Sequence, residues 1–160
     1  FFTGINFANM AKVLCEFSGV EHRIEPVATI NQVPYYNDSK ATNPESAIKA
    51  LEAFDGHIIL IAGGRDKNTD LTAFMQLATT KVDQLILMGE ATERFKAAAQ
   101  SQGIKNIYHV DNMKNAVKLA HESAKPPQMV LLSPACASYD MYKNYEARGK
   151  DFKKLVLELK

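Results

Sequence analysis

The chain has 160 residues, of which 46% are hydrophobic and 23% charged, a composition typical of one globular domain rather than a disordered or disulfide-rich chain. Its 19 basic and 18 acidic residues give a net charge of +1, which does not indicate a nucleic acid partner. The cysteines, Cys15 and Cys136, and the four histidines lack metal-binding spacing, and no apolar run approaches the about 20 residues of a membrane helix. We therefore expect one cytoplasmic domain, with no metal site and no membrane segment.

Short apolar runs alternate with helical patterns, as in an α/β domain. The predicted elements are a helix at 7–17, a β-hairpin of 23–30 and 33–37, a helix at 43–55, a strand at 58–62, a helix starting near Asp70, a strand at 85–88, a helix at 91–103, a strand at 107–110, a helix at 112–124, a strand at 129–132 and a helix at 144–159. The later strands lack polar alternation, which is typical of parallel strands covered on both faces. We expect a Rossmann-like, mostly parallel sheet flanked by helices. The more polar hairpin is placed at the sheet edge, where an edge strand tolerates Pro34.

Ligands of open parallel sheets bind where the strands end, so the loops there are the places to look for function. The first loop, 37–43, reads Asn-Asp-Ser-Lys-Ala-Thr-Asn and runs into a capped helix. A helix N-terminus together with Lys40 and two hydroxyls suits a phosphate or a carboxylate. The alternative is a solvated turn in which Asp38 and Thr42 only satisfy backbone groups.

Two further loops carry unusual residues. The second loop, 63–70, has paired glycines followed by Arg65 and Lys67, although no complete G-x-x-x-x-G-K-[ST] or G-x-G-x-x-G motif occurs in the chain. A tight turn before a helix is the alternative for this loop. The third loop, 132–140, crowds small residues around Ser133 and Ser138, whose hydroxyls suit a carboxylate. Neither Cys136 nor Ser138 has the neighbouring base that a nucleophile needs, so Cys136 is more simply a small buried residue.

Together these loops resemble the carboxy-terminal domain of the Mur ligases, most specifically of the member that adds D-glutamate. The matching strings are Gly19-Val20-Glu21-His22-Arg23, Asn37-Asp38-Ser39-Lys40-Ala41-Thr42-Asn43, Gly63-Gly64 with Lys67, Leu132-Ser133-Pro134-Ala135-Cys136-Ala137-Ser138, Asp140, Lys143-Asn144, Glu146 and Arg148-Gly149. They cover nearly the whole chain in the family's order. Arg65-Asp66 departs from the more glycine-containing loops of some members.

The resemblance implies that residues 1–160 form the carboxy-terminal domain of a three-domain ligase whose amino-terminal UDP-binding and central ATPase domains are absent from this chain. Such a ligase uses ATP and Mg²⁺ to convert the carboxylate of UDP-MurNAc-L-alanine to an acyl phosphate. The amine of D-glutamate then attacks it, releasing ADP and phosphate, in peptidoglycan precursor synthesis. The partners implied are D-glutamate, ATP, UDP-MurNAc-L-alanine and the missing domains.

The resemblance also implies roles for individual residues. The D-glutamate ligands would be Thr42, Lys67, Ser138 and Tyr139, with Tyr145 packing at the same pocket. Arg23 would reach the nucleotide phosphates and Asp38 the ribose hydroxyls. Lys40 would lie near the transferring phosphoryl group as the catalytic cation, where positive charge stabilises the developing negative charge.

The chain contains neither a P-loop nor the metal carboxylates of phosphoryl transfer, so we expect it to be inactive alone and to bind D-glutamate or ATP weakly at best. Two alternatives stay open. One is a sister enzyme, either a folylpolyglutamate synthase or a Mur ligase for another amino acid. The other is a Rossmann-like binding module without chemistry.

Overall fold

The structure of the chain is a computed structural model that describes residues 6–16 and 19–159, so the predicted end of the first helix at Phe17 lies outside the described residues. The helices are α1 (Phe7–Glu16), α2 (Pro44–Glu52), α3 (Thr72–Lys81), α4 (Thr92–Ser101), α5 (Met113–Ser123) and α6 (Tyr145–Leu157). The strands are β1 (Glu25–Ile30), β2 (Val33–Asn37), β3 (Ile58–Gly63), β4 (Val82–Met88), β5 (Ile107–His109) and β6 (Met129–Leu132). The predicted order of elements is confirmed. No described helix is long and apolar enough to span a membrane.

The six strands form one sheet in the order β1-β2-β6-β3-β4-β5. β1 pairs with β2 antiparallel, and the other four pairings are parallel. The predicted α/β fold, a mostly parallel sheet with an antiparallel hairpin at its edge, is confirmed. Because β2, β3, β4, β5 and β6 run in one direction, the three loops of interest leave the sheet at the same edge.

Helices cover both faces of the sheet. Successive strand residues point to opposite faces, so Leu60 packs toward one layer and Ile59 toward the other. Helices α2, α3 and α4 pack on one face of the sheet and enclose one layer of the hydrophobic core, whose largest side chains include Phe74 and Phe95. Helices α5 and α6 bury the other, with Phe152 at its centre. The central strand β3 is therefore buried along its whole length, as its apolar sequence predicts.

Three helices begin where an asparagine caps them. The side-chain oxygens of Asn43, Asn112 and Asn144 each accept a hydrogen bond from the backbone N–H three residues later, at 2.8 to 2.9 Å. Pro44 occupies the first position of α2, where its missing N–H breaks no hydrogen bond. The predicted starts of these helices are confirmed. The start of α2 fixes the backbone that follows Thr42. The start of α6 fixes the backbone of Tyr145.

Several element boundaries differ from prediction by a few residues, and two of these differences have a visible cause. β4 begins at Val82 rather than at 85, directly after α3, because its first residues pair with β3 despite their polar sequence. α3 begins at Thr72 rather than near Asp70, because the Asp70 carboxylate accepts hydrogen bonds from the Thr72 N–H and hydroxyl instead of entering the helix. The pattern of apolar residues alone cannot report either contact.

The reason given for Pro34 was wrong. β2 is not an edge strand, because it pairs with β1 on one side and with β6 on the other. Pro34 stands opposite Thr29, and the pairing with β6 begins only at Tyr35. The proline is therefore tolerated because it precedes the part of β2 that pairs with β6.

Candidate functional site

The three loops are joined to one another by backbone hydrogen bonds at the carboxyl edge of the sheet. The Asp38 N–H of the first loop donates to the Leu132 carbonyl at 2.7 Å. The Arg65 N–H of the second loop donates to the Ala137 carbonyl of the third at 2.9 Å, and these two residues form an isolated antiparallel bridge. The loops therefore act as one connected surface rather than as separate turns.

One small pocket collects the residues that the sequence predicts around D-glutamate. Its lining comes from all three loops and the start of α6: Thr42, Lys67, Ala137, Ser138, Tyr139 and Tyr145. The cavity has a volume of about 130 Å³, below the about 300–1,000 Å³ of sites for drug-sized molecules. The structure thus brings these side chains together around a space for a ligand of few heavy atoms.

The pocket lining combines a cation, two hydroxyls and two phenol rings. Lys67 is exposed, whereas Ser138 is 2% exposed and Tyr139 71% exposed. An ammonium and fixed hydroxyls suit a carboxylate because charge-assisted hydrogen bonds are the strong ones. The rings of Tyr139 and Tyr145 offer apolar surface beside these groups. Chemically, the pocket fits a small anion with an aliphatic part.

Further positive charge lies beside this pocket. Arg23, Lys40 and Lys67 form no ion pair among residues 6–16 and 19–159. The Lys40 ammonium lies 5.7 Å from the centroid of the Tyr145 ring, which places it next to the pocket. Arg23 is exposed and lies near Asp38, where its charge partly opposes the rise in the pKa of Asp38 that burial causes. Arg23 and Lys40 are therefore two cations close to the first loop that are available to bind an anion.

Asp38, predicted to meet ribose hydroxyls, is 4% exposed and already has protein partners. Its carboxylate accepts the Ser133 hydroxyl at 2.7 Å and the Ile24 N–H at 3.2 Å. Burial raises the pKa of Asp38 to about 6, against the lowering effect of these hydrogen bonds and of Arg23. Only one part of the alternative is observed, the hydrogen bond from a backbone N–H to Asp38, because the carboxylate is buried rather than solvated and also accepts the Ser133 hydroxyl. The ribose contact stays a prediction. Ser133 serves this internal carboxylate, so it is not a free donor for a ligand.

Cys136 has the environment of a packed residue. It is 4% exposed, and burial raises the pKa of its thiol to about 12, so little reactive thiolate exists at neutral pH. Its carbonyl accepts a hydrogen bond from Arg148. The interpretation of Cys136 as a small buried residue is confirmed, and nucleophilic chemistry is not supported at this position.

Arg148 is an important site residue to which the sequence assigns no role. The guanidinium is completely buried beneath the loops and donates to Ser39 of the first loop and to Cys136 of the third. Helical spacing gives a signal for its position, because Arg148 shares the inward face of α6 with Phe152 and Val156. What the spacing cannot give is the set of acceptors, which come from distant parts of the chain.

A possible metal site lies just before the hairpin and shares no residue with the pocket lining, although His22 packs edge-on against Tyr145. Glu21, His22 and Glu25 bring ligand atoms within 4.8 Å of one another. However, the Lys153 ammonium lies 2.8 Å from both carboxylates and supplies the positive charge that a metal ion would. These residues therefore do not fit Mg²⁺, which prefers oxygen ligands in an octahedral arrangement.

Comparisons with known proteins identify the family to which the chain belongs. The family model described as "Mur ligase, glutamate ligase domain" matches residues 22–136. The chain is 46% identical over 157 residues to "UDP-N-acetylmuramoylalanine--D-glutamate ligase" of Pelotomaculum thermopropionicum, covering 98% of this chain and 34% of that protein. It is 48% identical over 148 residues to the protein of the same name from Clostridioides difficile, covering 92% and 33%. The chain thus spans about a third of the length of the curated relatives it matches.

Solved structures share the fold at low sequence identity. The UDP-N-acetylmuramate-alanine ligase MurC of Thermotoga maritima matches with a TM-score of 0.69 and 16% identity, over 98% of this chain and 35% of that one. A folylpolyglutamate synthase of Mycobacterium tuberculosis matches with a TM-score of 0.61 and 15% identity, over 84% and 32%. These likenesses establish the fold alone. The family match over 22–136, together with the loops and pocket described above, shows that this chain belongs to the carboxy-terminal, glutamate ligase domain family of the Mur ligases.

Proposed function

We propose that this chain is the D-glutamate-binding domain of a cytoplasmic, ATP-dependent ligase that joins D-glutamate to UDP-MurNAc-L-alanine. The observation that carries the proposal is the pocket in which Thr42, Lys67, Ser138, Tyr139 and Tyr145 meet. These residues come from segments that are distant in sequence, and their chemistry matches a dicarboxylate. The relatives of 46–48% identity bear the name of this ligase, which favours D-glutamate over other amino acids.

In this proposal the pocket holds and orients the incoming amino acid. Lys67 binds one carboxylate of D-glutamate, and the hydroxyls of Thr42 and Ser138 donate to its carboxylate oxygens. The rings of Tyr139 and Tyr145 pack on the methylene groups and limit access of water. Fixing the amino acid in one orientation directs its amine toward the reacting centre, which lowers the entropic part of the barrier.

In this proposal Arg23 and Lys40 act on the nucleotide, which binds at the same edge of the sheet as the amino acid. Arg23 reaches toward nucleotide phosphates, while Lys40 acts as the catalytic cation beside the pocket. Asp38 is proposed to meet ribose hydroxyls with the lone pairs that its hydrogen bonds from Ser133 and Ile24 leave free. ATP, when bound with Mg²⁺, supplies the phosphoryl group that activates the carboxylate of UDP-MurNAc-L-alanine. The position of Lys40 over Tyr145 supports its role, because a cation next to the amino acid site stabilises charge that develops there.

Helix α1 supports the idea that the domain works within a longer protein. Its residues Phe7, Val13 and Leu14 are 75%, 63% and 75% exposed, and none of its residues is buried. Such an apolar face is costly in water unless another surface covers it. We infer that the remainder of the ligase covers α1 and supplies the P-loop and metal ligands. The 160-residue chain by itself is then expected to have no ligase activity and to bind D-glutamate or ATP weakly.

The test is steady-state kinetics of the full-length ligase that contains this chain. With UDP-MurNAc-L-alanine, ATP and Mg²⁺ present, D-glutamate and not L-glutamate should support phosphate release. Lys67→Met should raise the KM for D-glutamate by about 10-fold or more, while leaving the KM for ATP within about 2-fold, because the variant removes a charge-assisted contact to one substrate only. The matched control is Lys118→Met, which removes an exposed cation on α5, on the other face of the sheet.

Three outcomes would contradict this proposal. Equal effects of Lys67→Met on both KM values would reject the assigned role of the pocket. Turnover of a folate with L-glutamate would instead establish the second candidate, whose fold this chain shares. Ligase turnover by the 160-residue chain alone would show that the missing domains are not needed.

A further inference from the structure

Lys67 lies in the part of the second loop, residues 66–69, that has no helix, strand or bridge. The ammonium of Lys67 ends a long flexible side chain, and the residue is exposed. A lysine in that setting loses side-chain entropy when it binds a carboxylate, and its reach depends on where the backbone is held. The position of residues 66–69 therefore decides where the Lys67 side chain begins.

Arg94, on the first turns of α4, holds that backbone on both sides of Lys67. Its Nε and Nη2 donate to the two carboxylate oxygens of Asp66, each at 2.7 Å, and its Nη1 donates to the Thr69 carbonyl at 2.8 Å. The same Asp66 carboxylate accepts the Asn68 N–H at 2.9 Å. All three nitrogens of the Arg94 guanidinium thus donate hydrogen bonds to the segment 66–69, which includes Lys67.

The contact between Arg94 and Asp66 is well suited to fixing the position of the backbone around Lys67. A bidentate guanidinium–carboxylate pair sets distance and orientation at once, and the ion pair is partly shielded, with side-chain exposures of 32% for Arg94 and 18% for Asp66. Hydrogen bonding to Arg94 holds the pKa of Asp66 below its usual range, so the pair stays charged at neutral pH. Arg94 is not among the residues that line the amino acid pocket.

We propose that Arg94 is a positioning residue that, through Asp66 and Thr69, sets the place of Lys67 in the D-glutamate pocket. We call the hydrogen bonds of Arg94 to Asp66 and Thr69 the clamp. The inference rests on the proposed function, since the clamp matters for binding only if Lys67 binds D-glutamate.

The experiment compares KM values in the full-length ligase. Arg94→Met should raise the KM for D-glutamate by about 10-fold, because small misplacements of a binding group reduce its interaction strongly, while the KM for ATP stays within about 2-fold. Arg94→Lys should give an intermediate increase, since an ammonium cannot make the bidentate contact. Asp66→Asn breaks the ion pair from the other side and should repeat the Arg94→Met result even if the arginine variant folds poorly. Lys118→Met again serves as the control.

A double substitution separates positioning from general damage. In the Lys67→Met background, Arg94→Met should raise the KM for D-glutamate no further than about 2-fold, because the group that Arg94 positions is gone. If Lys67→Met raises this KM but Arg94→Met and Asp66→Asn do not, the clamp hypothesis is wrong and the proposed function stands. If Lys67→Met itself has no effect, the proposed function fails first. Additive effects of the two substitutions would also overturn the role of Arg94, because it would then act independently of Lys67.

Discussion

The guanidinium of Arg148 donates two hydrogen bonds to Ser39, one to its side chain and one to its backbone, across 109 residues of sequence. Nε donates to the Ser39 hydroxyl oxygen at 3.0 Å, and Nη2 donates to the Ser39 carbonyl at 2.9 Å. The Ser39 hydroxyl in turn donates to the Tyr145 carbonyl at 2.8 Å. This relationship fastens the first loop to α6, and so fixes two walls of the amino acid pocket relative to each other.

Replacing Arg148 should therefore destabilise the domain. Arg148→Met leaves the Ser39 and Cys136 carbonyls buried without this donor, and breaking such a network costs about 3 kcal/mol of unfolding free energy. Burial lowers the pKa of Arg148 to about 10. Its Nη1 is buried with no hydrogen-bond partner among residues 6–16 and 19–159, so the bonds made by Nε and Nη2 alone offset the cost of removing the guanidinium from water. Urea unfolding of the 160-residue chain measures the effect, with the exposed Lys150→Met on the same helix as control. A loss below about 1 kcal/mol would show that the network contributes little.

Gly64 should tolerate no side chain, because two effects coincide there. Its φ is +137°, and an added Cβ would overlap the Ala137 carbonyl oxygen. Gly103 offers a matched comparison, since its φ is +87° but an added Cβ meets nothing within 4 Å. We expect Gly103→Ala to cost about 1 kcal/mol from backbone strain alone, and Gly64→Ala to cost at least about 2 kcal/mol more. Equal losses in urea unfolding would show that the second and third loops can separate without cost.

Asp38 should make the stability of the chain depend on pH in a defined direction. The folded state holds the Asp38 proton more tightly than the unfolded state, since burial raises its pKa from 3.8 to about 6. Its contribution therefore favours the folded state below pH 4 and is lost as the pH rises through 6, a change of about 3 kcal/mol. Asp38→Asn keeps the acceptor for Ile24 but does not ionise, so the variant should gain stability relative to the natural chain between pH 4 and 7. A difference that does not change with pH would contradict the buried position of this carboxyl group.

Substitution on α1 should have different effects in the two lengths of protein. Leu14 is 75% exposed, so Leu14→Glu is expected to change the unfolding free energy of the 160-residue chain by less than about 0.5 kcal/mol. In the full-length ligase, where the remainder is proposed to cover α1, the same change buries a charge and should lower the midpoint of thermal unfolding by several degrees. Lys12→Glu, an exposed change of charge on the same helix, is the control. The same small effect in both proteins would mean that α1 stays uncovered.

The local features of the fold could be predicted because the signals for them are local. Asn43, Asn112 and Asn144 each cap the helix that follows, and each helix starts where the cap predicts. The apolar β3 sequence predicts a strand covered on both faces, and it is. The start of β4 at Val82 and the place of Pro34 inside the sheet could not be predicted, because both depend on which strands become neighbours.

The candidate site divides in the same way. The three loops and their chemistry could be found from the sequence, since each follows a predicted strand directly and combines small and polar residues, with cations in the first two loops. The hydrogen-bond partners of Asp38 and Arg94 could not be found from the sequence. The Asp38 carboxylate meets Ser133, 95 residues away, and the Arg94 guanidinium meets Asp66, 28 residues away. No spacing rule connects such pairs, because their distance is set by packing of whole elements.

The sequence by itself determined the order of helices and strands, the loops that carry charge and hydroxyls, and the resemblance to one ligase domain. These follow from periodicity, caps and short motifs, which act over a few residues. Only the tertiary structure decided that five side chains share one pocket, that Asp38 is buried against Ser133, and that Arg94 holds the segment around Lys67. The physical reason is that the strand order β1-β2-β6-β3-β4-β5 brings distant loops to a single edge, and contacts between distant loops exist only after the sheet has formed.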